Sequence, residues 1–178
     1  MKKVLGIGNA LVDVLVQVES ELILNELQLP KGSMQLINTE RYLKIQKRLE
    51  SLNKQLTTGG SACNTILAIA NLGGQPGLIG KVGHDEMATF FADNCVRHDI
   101  KANLLHAEQL PTGVASTFIT PDGQRTFGTH LGAAATLTAD DIKAEWFEGY
   151  DYFYIEGYLV QNHALIRRAV DLTHRAGL

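Results

Sequence analysis

A run of glycines limits how the middle of this chain can fold. Thr58-Gly-Gly-Ser-Ala-Cys-Asn64 leads through an apolar stretch to Leu72-Gly73-Gly74 and on to Gly80-Lys-Val-Gly83. Gly59 and Gly60 remove Cβ atoms where a ligand can touch backbone. A helix is predicted over Asn64–Leu72, closed by the glycine pair that follows. The small residues at its start, Ser61 among them, leave outward-facing N–H groups unpaired. Asn64 adds an amide that both donates and accepts. The set suits a polyhydroxylated ligand or a phosphate. Locally, a tight loop feeding a packed helix explains the pattern better. The functional reading rests on what surrounds it.

Hydrophobic periodicity supplies the frame. Val4–Gly8 reads as a buried strand, and Val12, Val14, Val16 and Val18 alternate with Asp13, Leu15 and Gln17 as a half-exposed one. Met34–Ile37 is expected to pair with the latter. Helical spacing covers Arg41–Leu52. A strand at Gly77–Val82 precedes a helix capped by Asp85, then a strand at Lys101–His106. Gly113–Thr120 and Arg125–His130 flank Pro121-Asp122-Gly123-Gln124, a hairpin signature. Asp140-Asp141 is read as a helix start, Tyr152–Glu156 as a strand, and Leu165–Ala176 as a final helix ending at Gly177. Strands alternating with helices imply a parallel sheet covered on both faces. The segments about 12–18, 34–37 and 113–130 break that rhythm and would form a small antiparallel flap. The chain stops after a helix where a βαβ series expects another strand, so the fold is read as truncated.

Composition excludes several classes. Net charge is −3 over 178 residues, with no basic run to recruit nucleic acid or an anionic membrane. No apolar run reaches membrane-spanning length, and Asn9 and Asp13 interrupt any signal-like start. Cys63 and Cys95 read as reduced, buried thiols, which fits a cytoplasmic protein. The histidines show no zinc-type spacing. No Gly-x-Ser-x-Gly elbow supports a hydrolase triad, and neither Asp151 nor Glu156 is given a catalytic role. Glu156 sits at a strand end, where burial against a helix start is one reading.

The Gly-Gly, Asn64, Gly73-Gly74, Gly80 and Gly83 spacing resembles the first signature of the ribokinase-like (PfkB) family of sugar and nucleoside kinases. Upstream, Gly6-Ile-Gly-Asn9-Ala-Leu-Val-Asp13 looks like that family's opening strand. With Leu29-Pro-Lys-Gly-Ser33, it is most similar to the adenosine-kinase type. The resemblance implies a ribokinase-like three-layer α/β/α fold with a mostly parallel central sheet and a small β-sheet lid. Residues 1–178 would be the N-terminal, substrate-binding portion of the kinase domain. It also implies transfer of the ATP γ-phosphate, with Mg²⁺, to a primary ribose hydroxyl of a nucleoside. Two alternatives are a ribose- or fructose-type sugar kinase and a non-catalytic nucleoside- or sugar-binding module. The family's base follows a Gly-Ala-Gly run that this sequence lacks, since no aspartate follows Gly132-Ala-Ala-Ala. No catalytic base and no ATP- or Mg²⁺-binding residue is therefore named, and this chain alone is expected to be inactive.

The resemblance places Asn9, Asp13, Gly59, Gly60, Ser61 and Asn64 on the sugar. A carboxylate such as Asp13 accepts from vicinal hydroxyls, although a solvated edge aspartate is the plain alternative. Asn64 otherwise bonds its own backbone at the helix start. Tyr158, after Gly157, either stacks on a purine or is a boundary aromatic. Phe127 and Leu131 close over a base or pack inside the flap, and so does Met34, for which packing is the safer reading. The free sheet edges of the flap admit a homodimer through the lid strands.

Overall fold

The computed structural model describes residues 2–178. Along the chain run β1 (Lys3–Ile7), β2 (Leu11–Gln17), α1 (Leu22–Glu26), β3 (Met34–Leu36), α2 (Thr39–Leu49) and β4 (Gln55–Gly59). They are followed by α3 (Ser61–Asn71), β5 (Gln75–Val82), α4 (Glu86–Arg97), β6 (Lys101–His106), β7 (Gly113–Ile119) and β8 (Arg125–His130). After 3-10 turns at Gly132–Thr136 and Ala144–Phe147 come β9 (Tyr152–Ile155), a 3-10 turn at Gly157–Leu159 and α5 (His163–Ala176).

The apolar strands build the first sheet, in the order β6-β5-β1-β9 and parallel throughout. It is apolar on both faces because helices cover both. Leu5, Ile7 and Ile79 pack with Leu165, Ala169 and Leu172 of α5. On the other face Leu78 and Val82 pack with Cys63 and Ile66 of α3 and Phe91 and Cys95 of α4. Both thiols are buried, and burial lifts the Cys63 thiol to about 12. The result is an α/β fold with a mostly parallel sheet.

The second sheet has the order β3-β8-β7-β2-β4. It departs from the expected antiparallel flap in three ways. It is mixed: β2 runs parallel to β7 and β3 parallel to β8. Met34–Leu36 pairs with β8 rather than with the valine strand. Gln55–Gly59, to which the sequence reading gave no strand, is its edge strand against β2. An edge strand that is exposed over Gln55–Thr57 carries no hydrophobic period to reveal it. One face of this sheet has its own core, in which Val14, Val16, Val114 and Phe118 meet Ile23 and Leu24 of α1 and Ile45 and Leu49 of α2. By strand register the opposite face carries Leu11, Asp13, Phe127, Thr129, Met34 and Leu36. That face is turned toward the carboxyl ends of the first sheet.

Pro121-Asp122-Gly123 makes the expected hairpin, with Gly123 N donating to Thr120 O at 2.8 Å. Asp140-Asp141 does not begin a helix: the helical turn is Ala144–Phe147, and Asp141 is drawn into an ion pair with Lys81. No helix among the described residues is long and apolar enough to cross a membrane. Phe118 is fully buried where the second sheet meets α1 and α2. Phe118→Ala should therefore lower stability by about 3–5 kcal/mol in urea denaturation.

Candidate substrate site

Glu156 follows β9 directly and is 2% exposed. Its Oε1 accepts from Asn9 N at 2.8 Å and Asn9 Nδ2 at 2.6 Å. Its Oε2 accepts from Ser61 Oγ at 2.7 Å and Ala62 N at 3.0 Å. An ionised carboxylate has about four lone-pair positions, and here each meets a donor. That saturation is what makes its burial tolerable. The α3 N-terminus adds positive potential. One side chain thus joins the end of β1, the end of β9 and the start of α3.

This overturns one expectation. The N–H groups at the α3 start are not all free for a phosphate, because Ala62 N is committed to a carboxylate that would repel one. Asn9 is changed too: its amide nitrogen is committed, which leaves its carbonyl oxygen without a partner among the described residues.

Gly59 and Gly60 shape the same corner. A Cβ on Gly59 would collide with the Asp13 carboxylate across the β2–β4 pair. Gly60 has φ +92°, and a Cβ there would strike Asn9 O. Only glycine meets both demands at position 60. Asp13 is packed against this backbone, and burial lifts its carboxyl to about 6, with Arg125 opposing the rise.

A cavity of about 870 Å³ opens between the two sheets. Asn9, Gly60, Ser61 and Glu156 form a polar end. Leu11, Met34, Leu36, Leu131, Ala134 and Leu137 supply an apolar wall, and Thr129, Gln161, Asn162 and His163 add polar groups elsewhere in the lining. Gly157 and Tyr158 lie on the rim, with Tyr158 70% exposed and so not spent on internal packing. Asp13, Gly59, Asn64 and Phe127 do not line this volume. Asp13 lies one step along β2 from Leu11 on the same face, and Phe127 is the register partner of Met34. Asn64 is exposed one turn into α3, its backbone N bonded to Gly60 O at 2.9 Å. Met34 is 49% exposed, so it lines the cavity rather than filling the core of the second sheet. Sequence reasoning gave no role to Leu36, Thr129 or the turn Gly132–Thr136, whose Ala134 and Ala135 line the cavity.

None of the longer helices leaves its N-terminus open for a nucleotide phosphate. The longer helices all begin on side chains of this chain. Asn38 caps α2, Asp85 caps α4 and Asn162 caps α5, while Glu156 takes Ala62 N of α3. No cluster of three metal-ligating side chains occurs among the described residues.

The family model for pfkB family carbohydrate kinases matches residues 34–177. The aminoimidazole riboside kinase of Salmonella typhimurium is 34% identical over 102 residues, 54% of this chain and 30% of that protein. Among solved structures, an adenosine kinase from Sinorhizobium meliloti superposes with a TM-score of 0.84 at 31% identity, covering 99% of this chain and 54% of that one. A probable sugar kinase from Rhizobium etli gives 0.85 at 29% identity, again 99% and 54%. The chain spans about half the length of the solved relatives it matches and about a third of the curated ones. It belongs to the pfkB family of carbohydrate kinases.

Proposed function

We propose that this chain is the nucleoside-binding portion of a kinase that phosphorylates the primary ribose hydroxyl of a nucleoside such as adenosine. The observation that carries the reading is the two-ended cavity. A free sugar presents hydroxyls on all sides and would leave the apolar wall of Leu11, Met34, Leu36, Leu131, Ala134 and Leu137 unused. A nucleoside matches both ends: ribose against Asn9, Gly60 and Ser61, and a flat base against the wall. Asp13 and Asn64 complete the ribose contacts as the ligand reaches past the cavity floor. Phe127 and Tyr158 close over the base, where an aromatic contact contributes about 0.5–1.5 kcal/mol beyond area burial. The names of the Sinorhizobium and Salmonella relatives, an adenosine kinase and a riboside kinase, point the same way.

In this reading the second sheet is a lid that excludes water from the reacting hydroxyl. Glu156 is not a general base, since all its acceptor positions are filled by protein donors. This chain binds and orients; ATP, Mg²⁺ and the base belong to residues outside it. A ribose-type sugar kinase is the second reading, favoured by the Rhizobium likeness.

Calorimetry on the 178-residue protein distinguishes them. Adenosine should bind with ribose at least about tenfold weaker, the equivalent of about 1.4 kcal/mol. Equal or tighter binding of ribose would favour the sugar reading, and no heat with either would remove both. ATP added with adenosine should yield no AMP.

Asp13 gives a pH test. Burial holds its carboxyl at about 6 in the folded protein, above the ordinary 3.8. Its stabilising contribution is therefore complete below pH 3.8 and is lost as pH rises through about 6. Asp13→Asn should raise the thermal midpoint at pH 8, by at most the equivalent of about 3 kcal/mol, and change little at pH 4. The same variant should weaken adenosine binding at pH 8. Wild-type affinity should fall as pH drops through about 6, because the neutral carboxyl is the poorer acceptor for ribose hydroxyls.

A further inference from the structure

Part of the apolar wall lies outside both sheets. Ala134, Ala135 and Leu137 belong to the 3-10 turn Gly132–Thr136 and the residue after it. Such turns have poor internal hydrogen-bond geometry and do not fix their own position. At its start this one is tied by Ala133 N donating to Pro111 O at 2.8 Å. At its end it is tied by side chains from elsewhere. Lys81, near the carboxyl end of β5, donates from Nζ to Thr136 O at 3.2 Å and pairs with Asp141 Oδ2 at 2.9 Å. The same carboxylate oxygen accepts from Thr138 N at 2.9 Å and Thr138 Oγ1 at 3.1 Å. Asn162 caps α5 and also donates from Nδ2 to Leu137 O at 3.0 Å.

The ion pair is unusually covered: the two side chains are 14% and 22% exposed. Burial alone would raise the Asp141 carboxyl, but the Lys81 ammonium and the Thr138 donors outweigh it and hold the group below its usual range. Taking two charges out of water stabilises a fold little compared with apolar packing. What this pair does supply is a fixed distance between β5 and the turn.

We propose that Lys81 and Asp141 are positioning residues, a brace that sets the Ala134–Leu137 wall at the spacing of a nucleobase and so makes the site prefer nucleosides over free sugars. The brace touches no ligand and acts through the backbone carbonyl of Thr136. It rests on the nucleoside reading of the cavity. Asn9 and Ser61 are held by Glu156 and not by the brace, so the brace governs the base end and not the ribose end.

The test compares the wild type with Lys81→Met and Lys81→Arg. Calorimetry gives the adenosine-to-ribose affinity ratio, and amide hydrogen exchange follows residues 133–138. Lys81→Met should lower the ratio about tenfold, the scale of one lost charge-assisted hydrogen bond. Exchange across 133–138 should quicken by a similar factor while β5 and α5 stay protected. Lys81→Arg should recover most of both. A loss shared equally by adenosine and ribose, or exchange that rises uniformly, would show an ordinary structural ion pair and overturn the proposal. So would no change in either readout. If Lys81→Met does not fold, Asp141→Asn carries the same readouts, since it removes the charge but keeps an acceptor for Thr138. If the wild type binds neither ligand, the nucleoside reading fails and exchange that stays unchanged or rises uniformly rejects the brace separately.

Discussion

A carboxylate buried among four donors holds this molecule's site together. Glu156 stands where three elements converge, and each oxygen serves two partners. Removing a partner from such a cluster leaves a buried charge or a buried donor unpaired, at about 1–3 kcal/mol for each group. The arrangement is therefore cooperative: Asn9, Ser61 and the start of α3 hold their places together or not at all. Everything at the polar end of the cavity inherits its geometry from this contact. The glycines at 59 and 60 complete it by letting β4 approach Asp13 and Asn9 O.

The site divides its labour between two kinds of construction. The polar end is built on the ends of β1 and β9 and the start of α3, joined by Glu156. The apolar end is built from one face of the second sheet and a short turn held from outside by Lys81 and Asn162. The two ends are thus held by separate sets of hydrogen bonds.

Local patterns were legible in the sequence, and distant partnerships were not. The hairpin around Pro121-Asp122-Gly123, the αL stop at Gly177 and the cap at Asp85 each depend on a few neighbouring residues. Glu156 is different. It lies 147 positions from Asn9, and a glutamate at a strand end looks the same whether it faces water or four donors. Sequence reading allowed its burial against a helix start but had no means of naming the helix. Lys81 and Asp141 are 60 positions apart, and the aspartate pair at 140–141 read as a helix start because local capping chemistry was the only information available. β4 was missed because an exposed edge strand of Gln, Leu and Thr has no periodic face.

The most direct test of this account is the unfolding free energy of Glu156→Gln, measured in urea beside the wild type. The amide keeps the size of the side chain but replaces one acceptor oxygen by a donor that faces existing donors. The expected result is a loss of about 3 kcal/mol or more. Amide exchange should also become fast at Asn9 or Ala62, whose N–H groups would lose their acceptor. A variant as stable as the wild type, with both amides still protected, would contradict it, because the polar end would then be standing without the carboxylate that is said to hold it.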